Sequence, residues 1–440
     1  MAQPAIQRLF SANANRYFAR TAFALGLGFL LSSAPLLRAQ QPTFNDITVA
    51  SVPTTSGTPL TLRMDIYKPT NATSDTPVVA WIYGGGWTQG SYNAPLSSAA
   101  ADLLNQGIAI AHVSYRLSQE SIFPAQIQDV KACIRQLREG AATYGIDPRR
   151  IASWGPSAGG HLSALLATSG GVTALEGTSG SALGQSSRIL AAVDYFGPTD
   201  ILNMNLDITN PPGSGIDHDA PSSPESRLIG FSGAGQGIGL LRANLNNPSV
   251  PYPELLSRAM IANSVTHVAA NDPVMFIAHG TIDTSVPLKQ STRLSTALNS
   301  AGVPNVYLQV PGRGHGDLGA TTDSAARAFL VEELTRPFGD ASRDGSVNFS
   351  DLLLIAQNFG STSASWRQGD FTSDGLVDSV DLSLVAGNYG SGFNADWQRA
   401  LTSVPEPSSL LLMWATLLVI PHRSKRSQRN QPTDFSEEPF

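Results

Sequence analysis

Cysteine and charged side chains are both scarce in this sequence, and each shortage excludes a class of site or partner. Cys133 is the only cysteine in 440 residues, so an intrachain disulfide, a cysteine-ligated zinc site and an iron–sulfur cluster are excluded. Charged residues make up 14% of the chain, well below the roughly 25% of typical soluble domains. The net charge is −6 and the part expected to fold contains no basic cluster. Since phosphates require Lys and Arg, both facts argue against nucleic acid as a partner.

Length and apolar content are sufficient for a large folded protein. A chain of 440 residues is long enough for two or three domains, and a hydrophobic fraction of 42% can build at least one large core. The 40 glycines and 29 prolines are too few for a fibre or a low-complexity chain.

Residues 1–39 have the layout of a signal peptide. Three arginines lie in the first twenty residues, residues 21–37 carry no charge, and the small residue Ala39 follows. A basic region, an apolar region and a small residue at the cleavage position are the parts of an export signal. A buried helix is the structural alternative. The pattern predicts cleavage after Ala39 and an exported protein.

Residues 404–426 resemble a PEP-CTERM sorting segment. A Pro-Glu-Pro triplet at 405–407 precedes the apolar stretch 410–420, and three basic residues follow before a polar tail at 427–440. The apolar stretch is shorter than the ~20 residues of a stable membrane helix. The resemblance implies handling by an envelope sorting machinery, and with the N-terminus it predicts a secreted or envelope-associated protein.

Residues 40–337 alternate between strand-like and helix-like patterns. The predicted strands are 78–83, 108–113, 151–154, 189–193, 274–278 and 306–310, and the predicted helices are 126–144, 288–301 and 324–335. Several strands are continuous apolar runs, which is typical of parallel strands covered on both faces. The sequence therefore predicts an α/β domain with a mostly parallel sheet and helices on both faces.

A nucleophile elbow is predicted where strand 151–154 meets a helix. The segment GPSAG there places Ser157 between glycines, and G-x-S-x-G in a strand–turn–helix context lifts a serine hydroxyl clear of a sheet. The glycine-rich segment YGGGW closes strand 78–83. Because glycines let backbone amides approach a developing oxyanion, we expect its donors to be the amides of Gly85, Gly86 and Ala158.

A base and its orienting acid follow later strands. Asp283 comes after strand 274–278, and His315 lies between glycines after strand 306–310. A buried carboxylate can hold the imidazole tautomer that takes a proton from serine. The chain order Ser157, Asp283, His315 is the order of α/β-hydrolase triads.

These motifs resemble the esterase/lipase branch of the α/β-hydrolase fold, most closely the hormone-sensitive-lipase-like and bacterial feruloyl/acetyl-xylan esterase group. The segments that carry the likeness include YGGGW, GPSAGGHLSALLA, DHDAPSSPESRLIG, HGTIDTSVP and GRGHGD, within residues 61–334. The resemblance implies carboxylic ester hydrolysis through an acyl-enzyme on Ser157, with no catalytic cofactor. Tyr83 departs from the histidine often found before the three glycines.

The surroundings of this site are less regular. Residues 205–267 are rich in Gly, Pro, Asn and Ser, and we expect them to form an irregular cap, with Trp87 and Tyr195 as pocket walls. His218 lies between two aspartates, but adjacent side chains cannot all face one ion without further ligands. Two alternatives to an esterase stay open: a peptidase of the prolyl-oligopeptidase kind, and a surface binding protein with an inert hydrolase fold.

An Asp-rich loop occurs twice at an offset of 30 residues, between 339 and 392. Oxygen-bearing side chains occupy loop positions 1, 3, 5, 9 and 12, with glycine at position 6, as in an EF-hand calcium loop. Position 7 contributes a backbone carbonyl. The predicted ligands are Asp340, Ser342, Asp344, Ser346, Asn348 and Asp351 in the first loop, and Asp370, Thr372, Asp374, Leu376, Asp378 and Asp381 in the second.

Two such loop–helix units resemble a dockerin, a small all-α calcium module. The resemblance implies a cohesin-type protein as partner. The pairs before the last ligands are Phe349-Ser350 and Ser379-Val380, which differ from the Ser-Thr pair of cellulosomal dockerins, so a calcium-stabilised spacer is the alternative. Residues 393–403 are interpreted as a linker to the sorting segment.

Overall fold

The computed structural model describes residues 41–208, 215–390 and 393–403. The predicted signal peptide, the sorting segment and the polar tail lie outside the described residues. Within the described ranges, no helix combines the length and apolar content needed to cross a membrane.

The centre of the molecule is an eight-stranded sheet. Its strands are β1 (Phe44–Val52), β2 (Leu60–Tyr67), β3 (Thr76–Ile82), β4 (Ala109–Val113), β5 (Ile146–Pro156), β6 (Ala191–Tyr195), β7 (Val274–Gly280) and β8 (Asn305–Val310). The order across the sheet is β1-β2-β4-β3-β5-β6-β7-β8. From β4 to β8 neighbouring strands are parallel, while β1, β2 and β4 pair antiparallel. The predicted mostly parallel sheet is confirmed.

Helices cover both faces of this sheet. They are α1 (Ser98–Leu104), α2 (Ala125–Glu139), α3 (Ala141–Tyr144), α4 (Ala158–Thr168), α5 (Thr173–Glu176), α6 (Pro224–Ile229), α7 (Ile238–Ala243), α8 (Tyr252–Ala262), α9 (Lys289–Ser300) and α10 (Ala320–Thr335). In α2, apolar residues recur at helical spacing and are fully buried, and Gly140 follows its last residue. Two buried apolar clusters result, one on each face.

The region 205–267 is more regular than its composition predicts. Its described residues contain α6, α7 and α8, so this part is largely helical, and its role as a cap over the site stays a prediction. Pro224 stands at the first position of α6, where its missing amide costs no hydrogen bond. The side chain of Ser223 caps the same helix. A polar cap and a proline thus set the start of α6 in a segment whose composition resembles a loop.

The C-terminal module is built from α11 (Phe349–Asn358), α12 (Ser379–Asn388) and α13 (Phe393–Ser403). Asn348 and Asp378 cap α11 and α12, each within a reciprocal capping box. The prediction that residues 393–403 are a linker is wrong, because they form α13. Trp397 and Ala400 of that helix are fully buried, in the cluster that also contains buried residues of α11.

Candidate functional site

Ser157 lies in a strained turn between β5 and α4. Its backbone has φ 56° and ψ −122°, a left-handed conformation that is costly for a residue with a side chain and is typical of functional turns. Gly159 makes the turn possible, since an added Cβ there would overlap the carbonyl oxygen of Ile82 in β3. The local sequence therefore forces the elbow that was predicted from the G-x-S-x-G spacing.

The structure brings Ser157, His315 and Asp283 into one hydrogen-bond chain. His315 Nε2 lies 3.0 Å from Ser157 Oγ, and His315 Nδ1 lies 2.8 Å from Asp283 Oδ2. Because an ionised carboxylate only accepts, Nδ1 carries the proton and Nε2 accepts from the serine hydroxyl. The His315 side chain is 24% exposed and that of Asp283 is fully buried. Substrate and water can therefore reach the imidazole but not the carboxylate.

Asp283 is held in its ionised form by its neighbours. Burial alone raises its pKa, but hydrogen bonds from His279 and His315 and from the backbone amide of Val286 outweigh burial and lower the pKa below its usual range. The other carboxylate oxygen, Oδ1, accepts from the amides of Ser285 and Val286 at 2.8 and 2.9 Å. The acid is therefore both charged and fixed in orientation.

The predicted oxyanion donors lie beside the nucleophile. A Cβ added at Gly84 would lie 3.4 Å from Ser157 Cβ, so the glycine loop packs directly on the elbow. Within the described residues, neither Gly85 nor Gly86 donates its amide to a backbone acceptor. Ala158 is the first residue of α4, where amides have no intrahelical partner. The assignment of these three amides as the oxyanion hole stays a prediction.

Tyr83 anchors the glycine loop through its ring and hydroxyl. The ring stacks on Tyr115 with centroids 4.4 Å apart, and the Tyr83 hydroxyl donates to the Tyr115 carbonyl at 3.1 Å. Tyr115 returns a hydrogen bond to the Tyr83 carbonyl at 3.0 Å. Sequence reasoning noted Tyr83 only as a departure from a common histidine, and the structure assigns it a positioning role.

The two proposed pocket walls are buried instead. Trp87 is 1% exposed and donates its indole N–H to His161 Nδ1 at 3.1 Å. Its expected place in the pocket is wrong, because a ring without exposed surface cannot line an open cleft. Burial lowers the pKa of His161 to about 4, which keeps it a neutral acceptor. Tyr195 is 5% exposed, and its hydroxyl donates to Asp323 at 3.1 Å.

The side chains around His218 turn to separate partners. His218 Nδ1 lies 2.9 Å from Glu225 Oε1, Asp217 accepts from Asn205, and Asp219 pairs with Arg242. The three adjacent side chains therefore do not face one point.

The two Asp-rich loops have their first and last carboxylates in the interior. Asp340, Asp351, Asp370 and Asp381 are each no more than 2% exposed. In the second loop, burial and the neighbouring carboxylate Asp374 raise the pKa of Asp370 to about 6. Burial and Asp370 likewise raise the pKa of Asp381 to about 7.

Carboxylate and hydroxyl oxygens are the donors that calcium prefers, so the chemistry of the donor set fits this ion. The oxygens now accept hydrogen bonds from loop amides, such as Gly345 and Gly375. No group of three His, Cys, Asp or Glu side chains in the described ranges is already gathered around one point for a metal. The fit therefore rests on the type and order of the donors.

Comparison with known proteins identifies both parts of the chain. The BD-FAE family model matches residues 64–298, more than half of the chain, and the dockerin type I domain model matches residues 338–388. Esterase LipQ of Mycobacterium tuberculosis is 30% identical over 259 residues, covering 58% of this chain and 54% of that protein. The probable carboxylic ester hydrolase LipM of the same organism is 27% identical over 277 residues, covering 62% and 57%. The chain thus spans a little over half the length of the curated relatives it matches.

Two solved structures at 30% identity or more share the fold of this chain. A truncated form of a carbohydrate esterase from gut microbiota superposes with a TM-score of 0.56 at 30% identity, covering 68% of this chain and 98% of that one. A bifunctional GH43-CE protein of Bacteroides eggerthii superposes with a TM-score of 0.52 at 33% identity, covering 62% and 33%. The chain therefore belongs to the BD-FAE family of α/β-hydrolases and carries a C-terminal dockerin type I domain.

Proposed function

We propose that this protein is a secreted serine carboxylesterase that forms an acyl-enzyme on Ser157. The observation that carries the proposal is the hydrogen-bond chain from Ser157 through His315 to buried Asp283. A serine in a strained elbow, a neutral imidazole and a fixed carboxylate are the parts that acyl transfer requires. The curated relatives named as esterases support the same reaction class.

The reaction follows from the positions of these groups. Ser157 Oγ attacks the ester carbonyl and its proton passes to His315 Nε2, which then protonates the leaving alcohol. Water repeats the two steps on the acyl-enzyme and releases the acid. The amides of Gly85, Gly86 and Ala158 stabilise the oxyanion, and each such donor contributes roughly 2.7–4 kcal/mol in the transition state.

Ester groups on polysaccharides, such as acetyl or feruloyl decorations, are the substrate class that we favour. A carbohydrate esterase from gut microbiota is similar to this chain in sequence and fold. A dockerin beside an esterase fits an enzyme acting in a carbohydrate-degrading assembly. The second candidate function is that of a peptidase of the prolyl-oligopeptidase kind, and the third is that of a non-catalytic binding protein.

For the module, we propose calcium at the two loops and docking to a cohesin-type partner. Dockerin type I domains generally bind calcium, and the loops supply the oxygen donors that this ion takes. We also propose export through the signal peptide at 1–39 and envelope sorting through residues 404–426.

Hydrolysis of p-nitrophenyl acetate by the full chain tests the esterase proposal. Ser157→Ala is expected to lower kcat by roughly 10⁶-fold, the order found when a triad serine is removed. Ser300→Ala is the matched control, since its exposed hydroxyl only donates within α9. Acetylated xylan, methyl ferulate and a peptide anilide then separate glycan esterase from peptidase.

Labelling with a fluorophosphonate separates an inactive fold from a selective enzyme. The wild-type chain and Ser300→Ala should take up the label, and Ser157→Ala should not. Absence of label from all three proteins, with equal background hydrolysis, would support the binding-protein reading instead.

A further inference from the structure

The two calcium loops share one pattern but differ in their charge. At the six ligand positions the first loop has three carboxylates, and the second has four. The difference lies at position 9, which is Asn348 in the first loop and Asp378 in the second. The affinity of such loops for calcium is tuned by the number of charged ligands and by the rigidity of the site.

The side chains at position 9 are used differently. Both cap the helix that follows: Asn348 Oδ1 accepts from the Ser350 amide at 2.9 Å, and Asp378 Oδ1 accepts from the Val380 amide at 2.7 Å. The group left over in Asn348 is an NH₂, which donates to Asp344 Oδ2 at 3.2 Å. The group left over in Asp378 is a second carboxylate oxygen. Position 9 of the first loop therefore offers calcium one oxygen fewer than position 9 of the second loop. Its NH₂ group also occupies one carboxylate oxygen of the neighbouring ligand Asp344.

A fixed cation stands beside the first loop. Arg336 Nη1 donates to Asp340 Oδ2 at 2.9 Å, and its side chain is only 5% exposed. Its Nη2 also pairs with Glu332 and Glu333, at 3.2 and 3.4 Å. The 30-residue repeat places Trp366 at the corresponding position before the second loop. At loop position 4, Arg343 of the first loop pairs with buried Glu333, where the second loop has Ser373.

In the part of the chain that the structure describes, the second loop has no ion-paired cation of this kind, although the buried guanidinium of Arg138 interacts electrostatically with Asp370 and Asp374. Within the described residues, none of its four carboxylates forms an ion pair. The guanidinium of Arg188 lies beside Gly375, but it donates to the Gly170 carbonyl and the Ser363 hydroxyl at 3.2 and 3.0 Å. The ligand set of the first loop therefore has one carboxylate fewer than that of the second, and one of its three is also paired with Arg336.

We propose that the two loops are inequivalent and that the second loop, 370–381, binds calcium more tightly than the first, 340–351. The inference rests on the calcium binding proposed above. Arg336 and the amide of Asn348 reduce the attraction of the first loop for a divalent cation, while Asp378 adds a donor to the second. Since loops of this type span several orders of magnitude in Kd with ligand charge, we expect the two affinities to differ by at least about ten-fold.

The test is a calorimetric titration of the calcium-stripped full chain with CaCl₂, using reciprocal exchanges at position 9. Asp and Asn are equally good helix caps, so Asp378→Asn and Asn348→Asp keep both caps, and matching far-UV circular dichroism checks the fold. The wild-type chain should show a tight and a weak step. Asp378→Asn should weaken the tight step and leave the weak one, and Asn348→Asp should tighten the weak step.

Other outcomes overturn the inference in distinguishable ways. Two equal sites in the wild-type chain would contradict the inequivalence while leaving calcium binding intact. If Asp378→Asn weakened only the weaker step, the two sites would be unequal but the tight site would not be the second loop, which would contradict the assigned order of affinities. Absence of any calcium heat in all three proteins would overturn the calcium assignment itself, and the esterase proposal would still stand.

Discussion

At the scale of single residues, Asp283 determines how the triad is oriented. Its two oxygens accept four hydrogen bonds from two histidines and two backbone amides. Its folded pKa lies below the usual 3.8, so the fold favours the ionised form. The lowered pKa of Asp283 adds to the stability of the folded protein at every pH above 3.8. This contribution is lost as the pH falls from 3.8 toward the lower pKa of the folded state.

Asp283→Asn should lower kcat by roughly 10⁴-fold with little change in KM. The amide oxygen can still accept from Ser285 and Val286, but its NH₂ then faces His315 Nδ1. The imidazole proton then lies on Nε2, so this nitrogen can no longer accept the hydrogen bond from the Ser157 hydroxyl. Steady-state kinetics on p-nitrophenyl acetate measures the effect.

Asp317→Asn is the control for that substitution, because Asp317 lies in the same loop as His315 and its side chain is 77% exposed. It should leave kcat within about two-fold. An unchanged kcat in Asp283→Asn would contradict the assigned orienting role.

At the scale of elements, α13 completes the core of the C-terminal module. Trp397 is fully buried and shares a cluster with Leu352 and Ile355 of α11. Arg399, two residues after Trp397, covers the ring of Phe349 at 3.8 Å from its centroid. The module therefore extends through residue 403, beyond the two repeats that identify it.

Trp397→Ala should lower the free energy of unfolding of the module by about 3–5 kcal/mol, the usual cost of truncating a buried aromatic residue. Urea denaturation of the full chain measures it. Trp397→Phe is the control: the indole N–H of Trp397 has no hydrogen-bond partner in the described part of the chain, so its loss costs little and most of the packing remains. Wild-type stability in Trp397→Ala would restore the linker interpretation.

At the scale of the whole molecule, the module is docked on the hydrolase domain. Phe338 lies under the guanidinium groups of Arg149 and Arg150, at 4.1 and 4.2 Å. Asn271 donates to the Ser363 carbonyl at 2.7 Å, and the buried apolar cluster on one face of the sheet continues into the module. Stabilising the module should therefore stabilise the hydrolase domain as well.

Removal of calcium with EGTA should lower the melting temperature of the hydrolase domain by about 1–2 °C, since about 1 kcal/mol shifts the midpoint by that much in a domain of about 300 residues. Residual esterase activity after heating reports on that domain. The double variant Asn271→Ala/Arg367→Ala removes hydrogen bonds across the interface and should reduce the shift.

Asn244→Ala is the control for the double variant, because its side chain bonds only near its own helix end. It should keep the wild-type shift. Equal melting temperatures with and without EGTA in the wild-type chain would contradict the coupling.

Local spacing explains why much of this protein could be predicted from the sequence. The elbow around Ser157 depends on adjacent small residues, and the calcium loops depend on donors at fixed intervals. Parallel strands such as β3 and β7 are buried on both faces and therefore appear as continuous apolar runs. The antiparallel strands β1 and β2 escaped prediction because polar residues such as Asp46, Arg63 and Asp65 interrupt their apolar residues, so neither contains a continuous apolar run.

The sequence by itself determined the fold class, the elbow, the order of the triad residues and the repeated loops, because each is encoded by neighbours in the chain. Only the tertiary structure decided that Trp87 is buried against His161, that residues 393–403 complete a core, and that Arg336 faces Asp340. These outcomes depend on which distant surfaces meet. The free energy of burying a ring or pairing a charge is set by that environment and not by local sequence.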